Sequence, residues 1–473
     1  MSGNRLGAPS ADGEVSASGA EAALDSMLHA AHMLASYDVP GLVRDHVAAF
    51  GGIDAVCYLA DLQQTVLVPF LGPRGSGVGE QIEPLPIDST LAGRVFQHLD
   101  VRSQRRPNGD TVLWLPLLDG SERLGVLAVT LSTVALNDSD DDPTRAPVAK
   151  GLRGFASLAG ELIMTKTLYG DTIVQLRRRA EMGLAAEMQW SLLPPLTFAC
   201  PQLSVAAVLE PAYEVAGDTF DYAVDPGIAN LAVFDGMGHG LRSAQLAVVA
   251  VAVYRHARRA GRFLADICEQ IDQVLLQTSG GQAFGTAVLA QLDMVSGALR
   301  WINAGHPEPL LIRHGQLIKS LHVAPRPPLG IDLRGTRASP KPVVGSVQLE
   351  PGDSVLLYTD GVTEARAPDG TFFGEQRLTD LIIRNLAAGL PAPETMRRVV
   401  RALLEHQQGN PQRRRFPRPG AVAGRPRPAR SLTPMMPEGL EEACRTRLAR
   451  MGFRPVKCVA VFPRRLRWRS AAT

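Results

Sequence analysis

The chain is poor in cysteine, and what it has follows no pattern. Five cysteines (Cys57, Cys200, Cys268, Cys444 and Cys458) are scattered through 473 residues, with no Cys-x-x-Cys and no Cys/His metal spacing. That excludes a disulfide framework or a zinc-ribbon site and points to a reducing compartment. Long apolar runs are also missing. The longest, Leu246 to Tyr254, is far shorter than the roughly 20 residues needed to cross a bilayer. The N-terminus has no basic region followed by an apolar core, so no signal peptide is expected. Together these absences predict a cytoplasmic chain without a membrane contact. A further absence is local: no aspartate occurs after Asp380.

What is present describes an ordinary globular protein. Hydrophobic residues make up 45% and charged residues 20%, enough for two or three separate cores. The net charge of +2 conceals an asymmetry. From Gln407 onward there are 16 Lys and Arg against 3 Glu, a net of +13, so residues 1–406 carry −11. A basic tail on an acidic body is one signature of nucleic-acid binding. Here the tail has a better explanation, given below, and no nucleic-acid partner is expected.

Residues 1–20 are rich in Gly, Ser and Ala and read as a disordered leader. Helical spacing of Leu24, Met27, Leu28, Ala31 and Leu34 is followed by short apolar strands at 55–60, 65–69, 111–117 and 124–131, with a helix predicted over 89–99. Cys57 and His98 are packing residues on this reading rather than cofactor ligands. Residues 148–190 show a long apolar helical stripe that includes Leu152, Phe155, Leu162 and Ile173, interrupted at Gly170-Asp171. Such a helix between two domains can pair with its copy, which predicts a homodimer through the linker.

The chemistry lies further on. At 231–240, LAVFDGMGHG, an apolar strand stops at Asp235 and turns through glycines into a predicted helix. At 354–361, SVLLYTDG, another apolar strand stops at Asp360-Gly361. A carboxylate fixed at a strand end beside flexible glycines is how a fold presents a hard-metal ligand. The same pattern also fits a plain Asp-Gly turn between strands.

Six ordered motifs tip the balance: AAEMQWSLLPP (185–195), YEVAGDTFDY (213–222), VFDGMGHGLRSAQLA (233–247), FGTAVLAQLD (284–293), LRWINAGHPEPLLI (299–312) and LEPGDSVLLYTDGVTEA (349–365). The set resembles the bacterial PPM/PP2C-type serine/threonine phosphatases of the SpoIIE/RsbU class. The N-terminal order of elements, with LPLLDGSERLGVLAVT at 115–130, resembles a GAF sensor domain. The resemblance implies an α+β chain: a disordered leader (1–20), a GAF-like α/β sensor domain (21–147), a helical linker (148–193) and a PP2C-like αββα sandwich of two mainly antiparallel sheets (194–409). Residues 410–473 would be an Arg/Pro-rich tail, disordered or out of frame, with no fold assigned to 431–473. It implies two Mn²⁺ or Mg²⁺ ions, Asp235 bridging them and the Gly236 carbonyl beside it. Asp218 would bind directly or through water, and Asp360 would hold one ion. Asp235 and Asp360 are then the catalytic pair, and a phosphorylated anti-sigma-factor antagonist-like protein is the implied substrate. His239 and His306 are candidate general acids, although His306, in Asn303-Ala304-Gly305-His306, is expected mainly to shape a turn. Arg242, Glu364, Thr286 and Thr363 are expected to be structural. A Pro-rich loop, 325–342, is a candidate flap facing substrate.

The resemblance fails at one place. The class continues after its last long helix with Asp-Asp-Ala-Thr/Ser and an apolar strand, and one of those aspartates is a metal ligand. Here Arg413-Arg414-Arg415-Phe416 stands instead. Encoded CGA CGA CGC TTC and read one base later, those codons give Asp-Asp-Ala-Ser, which predicts a reading-frame change. Without the acids, the alternative reading is a catalytically impaired phosphatase or a non-catalytic regulatory binding protein.

Overall fold

The structure, a computed structural model, describes residues 17–72, 82–132, 144, 147–210, 213, 216–324, 326–331, 341–408 and 456–463. It divides into two compact units, residues 1–181 with 195–199, and residues 182–194 with 200–473.

The first unit is built on a sheet of strands β1 (Gly52–Ala60), β2 (Val66–Phe70), β3 (Leu85–Pro86), β4 (Arg102–Arg105), β5 (Thr111–Asp119) and β6 (Glu122–Leu131), in the order β3-β2-β1-β6-β5-β4. All its ladders are antiparallel. Both faces are covered, which explains why β6 is apolar without alternation. Leu127 and Val129 pack under helices α1 (Ala17–Ala31), α2 (Val39–His46) and α4 (Pro147–Thr167), whereas Val126 and Ala128 pack against α3 (Leu91–His98). Thr90 caps α3, its hydroxyl accepting from the Gly93 N–H at 3.0 Å. Gly125 faces Leu59 across the ladder, and a Cβ there would lie 1.8 Å from the Tyr58 carbonyl oxygen. Only glycine allows the two backbones to approach so closely.

The predicted linker helix is not one helix. It breaks into α4, α5 (Thr172–Leu176) and α6 (Leu184–Leu192). Its apolar stripe is also already used: Leu152, Phe155, Ile163 and Ile173 are buried in the core of the first unit, with Phe155 stacked 4.8 Å from Phe50. Those positions are spent on their own sheet, whereas Leu168, Tyr169 and Leu184 of the same stretch are exposed. The chain returns to this unit through β7 (Thr197–Ala199), where the Thr197 N–H and hydroxyl both donate to the buried Glu122 carboxylate at 2.6 and 2.8 Å. Burial pushes the Glu122 carboxyl above its ordinary value, and the Thr197 bonds oppose that shift.

The second unit holds two antiparallel sheets. One runs β15 (Gly345–Gln348), β12 (Ala298–Ala304), β11 (Gly285–Asp293), β10 (Ile228–His239), β9 (Ala216–Asp225). The other runs β14 (Gln316–Ser320), β13 (Leu310–Arg313), β16 (Ser354–Tyr358), β17 (Val456–Pro463), β8 (Leu203–Glu210). Helices α7 (Leu241–Arg259) and α8 (Leu264–Ser279) cover the first, burying Ala232 and Phe234 of β10. The alternate residues Leu231 and Val233 are buried on the opposite face. On the other sheet, α10 (Glu375–Ala387) and α11 (Ala392–Gln408) bury Leu356, Tyr358 and Ala206. A short helix α9 (Asp360–Thr363) follows β16. This is the expected αββα sandwich.

An ion-pair group locks α7 to its sheet. Asp221 on β9 accepts from Arg255 at 2.7 Å and Arg258 at 2.9 Å, and Arg255 also donates to the Leu192 carbonyl of α6 at 2.6 Å. The Asp221 side chain is 1% exposed. Asp221→Ala therefore strands two partly buried guanidinium groups, and thermal unfolding should show a loss of about 3–5 kcal/mol. A loss under about 1 kcal/mol would mean that the lock contributes little.

The tail corrects the expectation of an unfolded C-terminus. Residues 456–463, which were assigned no fold, form β17 in the middle of the second sheet, paired antiparallel to β16 and to β8. A central slot between two apolar strands leaves two rows of backbone donors and acceptors unpaired until a strand fills it. The stretch VKCVAVFP has the apolar, β-branched content to do so. The predicted Arg/Pro-rich segment 410–455, with its reading-frame signature at 413–416, lies outside the described residues, as do the leader 1–16 and the larger part of the 325–342 loop.

Candidate metal centre

Strand β10 ends its regular pairing at the site. Asp235 lies opposite Asp218 on β9 and opposite Thr286 on β11, and Gly236 lies opposite Gly217 and Gly285. Directly opposed residues in an antiparallel ladder have Cβ atoms about 4.5–5.5 Å apart and share a face. The register therefore brings two of the predicted carboxylates together. Like charges so placed repel each other, and a fold keeps such a pair where a cation or a proton joins them.

The glycines make this closeness feasible. A Cβ on Gly217 would sit 2.4 Å from the Gly236 carbonyl oxygen, and one on Gly236 would be 3.1 Å from that of Gly217 and 3.2 Å from that of Ser243. Beyond Gly236 the ladder shifts register before His239, and Gly238 and Gly240 take left-handed φ values of 88° and 77°. That bulge turns the chain into α7, whose first turn is tied back by the Ser243 hydroxyl donating to the Gly240 carbonyl at 2.9 Å.

Asp360 arrives from the other sheet, as the first residue of α9 after β16. Its neighbour makes the connection. Thr359, fully buried, donates its hydroxyl to Asp218 Oδ2 at 3.3 Å. Asp218 is 3% exposed, whereas Asp235 and Asp360 are half-buried. The site is thus a buried carboxylate backed by a threonine, with two more accessible carboxylates at its edge.

Of the four predicted metal ligands, Asp218 and Asp235 form one cross-strand pair, Gly236 belongs to the next, and Asp360 is the chain neighbour of Thr359, whose hydroxyl donates to Asp218. Among the described residues no set of three or more His, Cys, Asp or Glu side chains converges as a metal cluster. The donor chemistry fits one hard cation of the Mg²⁺ type, which takes one or two carboxylates plus carbonyl oxygen and keeps several waters. The two-ion centre that was expected is not assembled from the described residues. Arg454-Pro455 precede β17 in the sequence, where the expected Asp-Asp pair would precede the strand.

The histidines divide. The side chain of His239 lies outside the described part. His306 is 6% exposed and its ring is directed inward, with Nδ1 2.7 Å from the Thr286 hydroxyl. Burial pushes its pKa down to about 4, against a smaller opposing effect of the Tyr358 backbone. A ring neutral near pH 7 does not serve as a cationic general acid. The turn it was expected to shape is held by Asn303 instead, whose side chain donates to the His306 carbonyl at 2.7 Å and accepts from its N–H at 2.8 Å. Thr359 was not anticipated and Thr286 had been set aside as a strand polar group. No spacing rule marks either, since their partners are 141 and 20 residues away. Arg242 opens α7 exposed, and Glu364 closes α9 half-buried.

Residues 225–412, which include Asp235, Gly236 and Asp360, match the family described as Stage II sporulation protein E (SpoIIE). This segment is a SpoIIE-type domain. The chain also aligns with curated proteins. Protein IcfG of Synechocystis sp. is 28% identical over 251 residues, 47% of this chain and 39% of that protein. Phosphoserine phosphatase RsbU of Bacillus subtilis is 24% identical over 244 residues, 50% of this chain and 68% of that protein. The chain thus spans about two fifths of the first relative's length and two thirds of the second's. Among solved structures, the SiaA-PP2C domain of Pseudomonas aeruginosa aligns over 59% of this chain and 94% of its own, at 21% identity and a TM-score of 0.40. The PP2C phosphatase domain of SpoIIE from Bacillus subtilis aligns over 56% and 64%, at 15% identity and a TM-score of 0.40.

Proposed function

We propose that the chain is a metal-dependent serine/threonine protein phosphatase that hydrolyses phosphoserine or phosphothreonine on a small regulatory protein of the anti-sigma-factor antagonist kind. One observation carries the reading: Asp218 and Asp235 face each other at the strand ends, and Thr359 draws the Asp360 end of β16 onto Asp218. When bound, Mn²⁺ or Mg²⁺ supplies a hydroxide at neutral pH and neutralises phosphoryl oxygens. The chain's own groups hold the cation and orient water: Asp218 from a buried, threonine-backed position, Asp235 and the Gly236 carbonyl from the bulged end of β10, and Asp360 from the first turn of α9. The family match over 225–412 supports the same reading.

The first unit is proposed as the sensor that controls this activity. Its support is the β3-β2-β1-β6-β5-β4 sheet with helices on both faces, arranged in the chain order expected of a GAF-like domain. A cytoplasmic setting belongs to the same proposal. No described helix is long and apolar enough to cross a membrane, and Cys57, Cys200 and Cys268 are free thiols.

The second reading, a regulatory binding protein with weak or no turnover, is favoured by the absence of a third converging ligand among the described residues. The full-length chain assayed on phosphoserine peptides with and without Mn²⁺ separates the two. Hydrolysis that appears with Mn²⁺ and disappears with a chelator is expected. Measurable Mn²⁺ uptake with no turnover on any phosphopeptide would instead establish the binding protein.

A further inference from the structure

Strand β11 outruns its neighbour at the metal end. Its pairing with β12 stops at Val288–Asn303, three residues short of Gly285. Gly285 is buried, so its N–H and C=O need partners within the chain. Both go to Leu329. The Leu329 N–H donates to the Gly285 carbonyl at 2.7 Å, and the Gly285 N–H donates to the Leu329 carbonyl at 3.0 Å. Residues 326–329, the described root of the Pro-rich loop, thereby stand where β12 would continue, with Arg326 bridged to Ala304 at the end of β12. Pro327 and Pro328 lie between and have no N–H to give.

Side chains of α8 hold this segment in place. Asp272 Oδ1 accepts from the Gly330 N–H at 2.7 Å, and its Oδ2 accepts from Arg326 Nη2 at 2.5 Å. Arg326 Nη1 donates to Cys268 Sγ at 3.1 Å, and the Arg326 side chain is 4% exposed. Gly330 turns with a φ of 84°, and a Cβ there would lie 2.8 Å from the Leu275 Cβ. On the inner side of β11, the Phe284 carbonyl accepts from the Met237 N–H at 2.9 Å, while Gly285 and Thr286 lie opposite Gly236 and Asp235. Leu275 and Leu329 line one small cavity together with Asp235, Gly236, Gly285 and Thr286. Hydrogen bonds and adjoining residues thus lead without a gap from Asp272, through 329–330 and 284–285, to the loop that carries the Gly236 carbonyl.

We infer that Asp272 is a positioning residue for the metal centre: by holding residues 326–330 against Gly285, it fixes the end of β11 on which Asp235 and Gly236 rest. Asp272 acts through the backbone and binds no cation itself. The inference rests on the phosphatase reading and names a residue for that same site. The test compares two double variants of the full-length chain. Asp272→Leu/Arg326→Met removes both side-chain contacts without leaving a buried unpaired charge. Asp272→Asn/Arg326→Met restores an oxygen for the Gly330 N–H in the same background. Amide hydrogen exchange is measured in metal-free buffer, and Mn²⁺ affinity by calorimetry. In the Leu variant, exchange at Gly285, Leu329 and Met237 should quicken at least about tenfold relative to the amides of β16 and β8, because local opening lowers protection only where the bonds are lost. Its Mn²⁺ affinity should fall about tenfold, the lower end of the range for losing a group that supports a metal ligand. The Asn variant should stay within about threefold of wild type in affinity, below that range.

Exchange that quickens equally in both sheets overturns the positioning role, since the contacts then only stabilise the fold. So does a Leu variant that binds Mn²⁺ within about twofold of wild type, below any supporting-residue effect, or an Asn variant no better than the Leu variant. If the Leu variant does not fold, exchange in the wild type decides: a Gly285 amide as fast as an exposed one means that Leu329 does not hold it, and a protected one upholds the tie. A wild-type chain that takes up no Mn²⁺ overturns the phosphatase reading instead, while the exchange pattern still reports on Asp272.

Discussion

Asp235→Asn loses at least about a thousandfold in kcat/KM on a phosphoserine peptide, and its metal-free Tm stays level or rises. The activity figure follows from what a hard cation contributes to phosphoryl transfer, several kcal/mol of charge stabilisation, which is about three decades in rate. The stability figure has the opposite sign for an electrostatic reason. Asp235 stands directly opposite Asp218 in the ladder, and like charges so placed destabilise the pair by roughly 0.2–1 kcal/mol. Asparagine keeps the shape and removes the repulsion. The two effects separate a functional carboxylate from a structural one, because a structural Asp would lose stability on neutralisation. Activity within tenfold of wild type would end the metal-ligand assignment of Asp235.

Deletion of residues 456–473 unfolds the second unit while the first keeps its own transition. Strand β17 pairs at four positions with β16 and at eight with β8. Its removal leaves both strands with unpaired backbone groups inside the sheet. At about 1 kcal/mol net for each backbone bond lost, and more for each group left buried and unsatisfied, the penalty is on the order of 10 kcal/mol. That equals the whole margin of a typical domain. Helices α10 and α11 lose their support with it, since they pack on this sheet. Urea unfolding followed by limited proteolysis reads the result: a protease-resistant fragment ending near residue 199 should survive, and residues 200–408 should be digested. A truncated chain whose second unit melts as before would show that β17 is not part of the sheet in solution.

The candidate carboxylates were legible because each has a local signature. Asp235 and Asp360 end apolar strands and are followed by glycine, and Asp218 follows one, Gly217, inside YEVAGDTFDY. The glycines are legible for the same reason, as Gly217 and Gly236 leave no room for a Cβ where their backbones approach. The two-sheet sandwich was expected from the resemblance that the six ordered motifs carry, not from the periodicity of any one strand or helix. The linker was misread because an apolar stripe says that a helix buries one face and does not say against what. Leu152 and Phe155 bury theirs against the sheet of their own unit.

Three features depended on contacts no spacing rule reaches. Strand β17 lies 48 positions beyond the end of α11 and is recruited by an open slot between β16 and β8. Thr359 meets Asp218 and His306 meets Thr286 only once the strands have been brought together. By itself, then, the sequence named Asp218, Asp235, Gly236 and Asp360 as the candidate ligands, because the motifs that carry them are written in a few consecutive residues. Only the tertiary structure decided how those ligands are spaced and which strand completes their sheet. Both depend on pairing between segments far apart in the chain, where backbone hydrogen bonds and buried polar contacts, not local periodicity, select the partner.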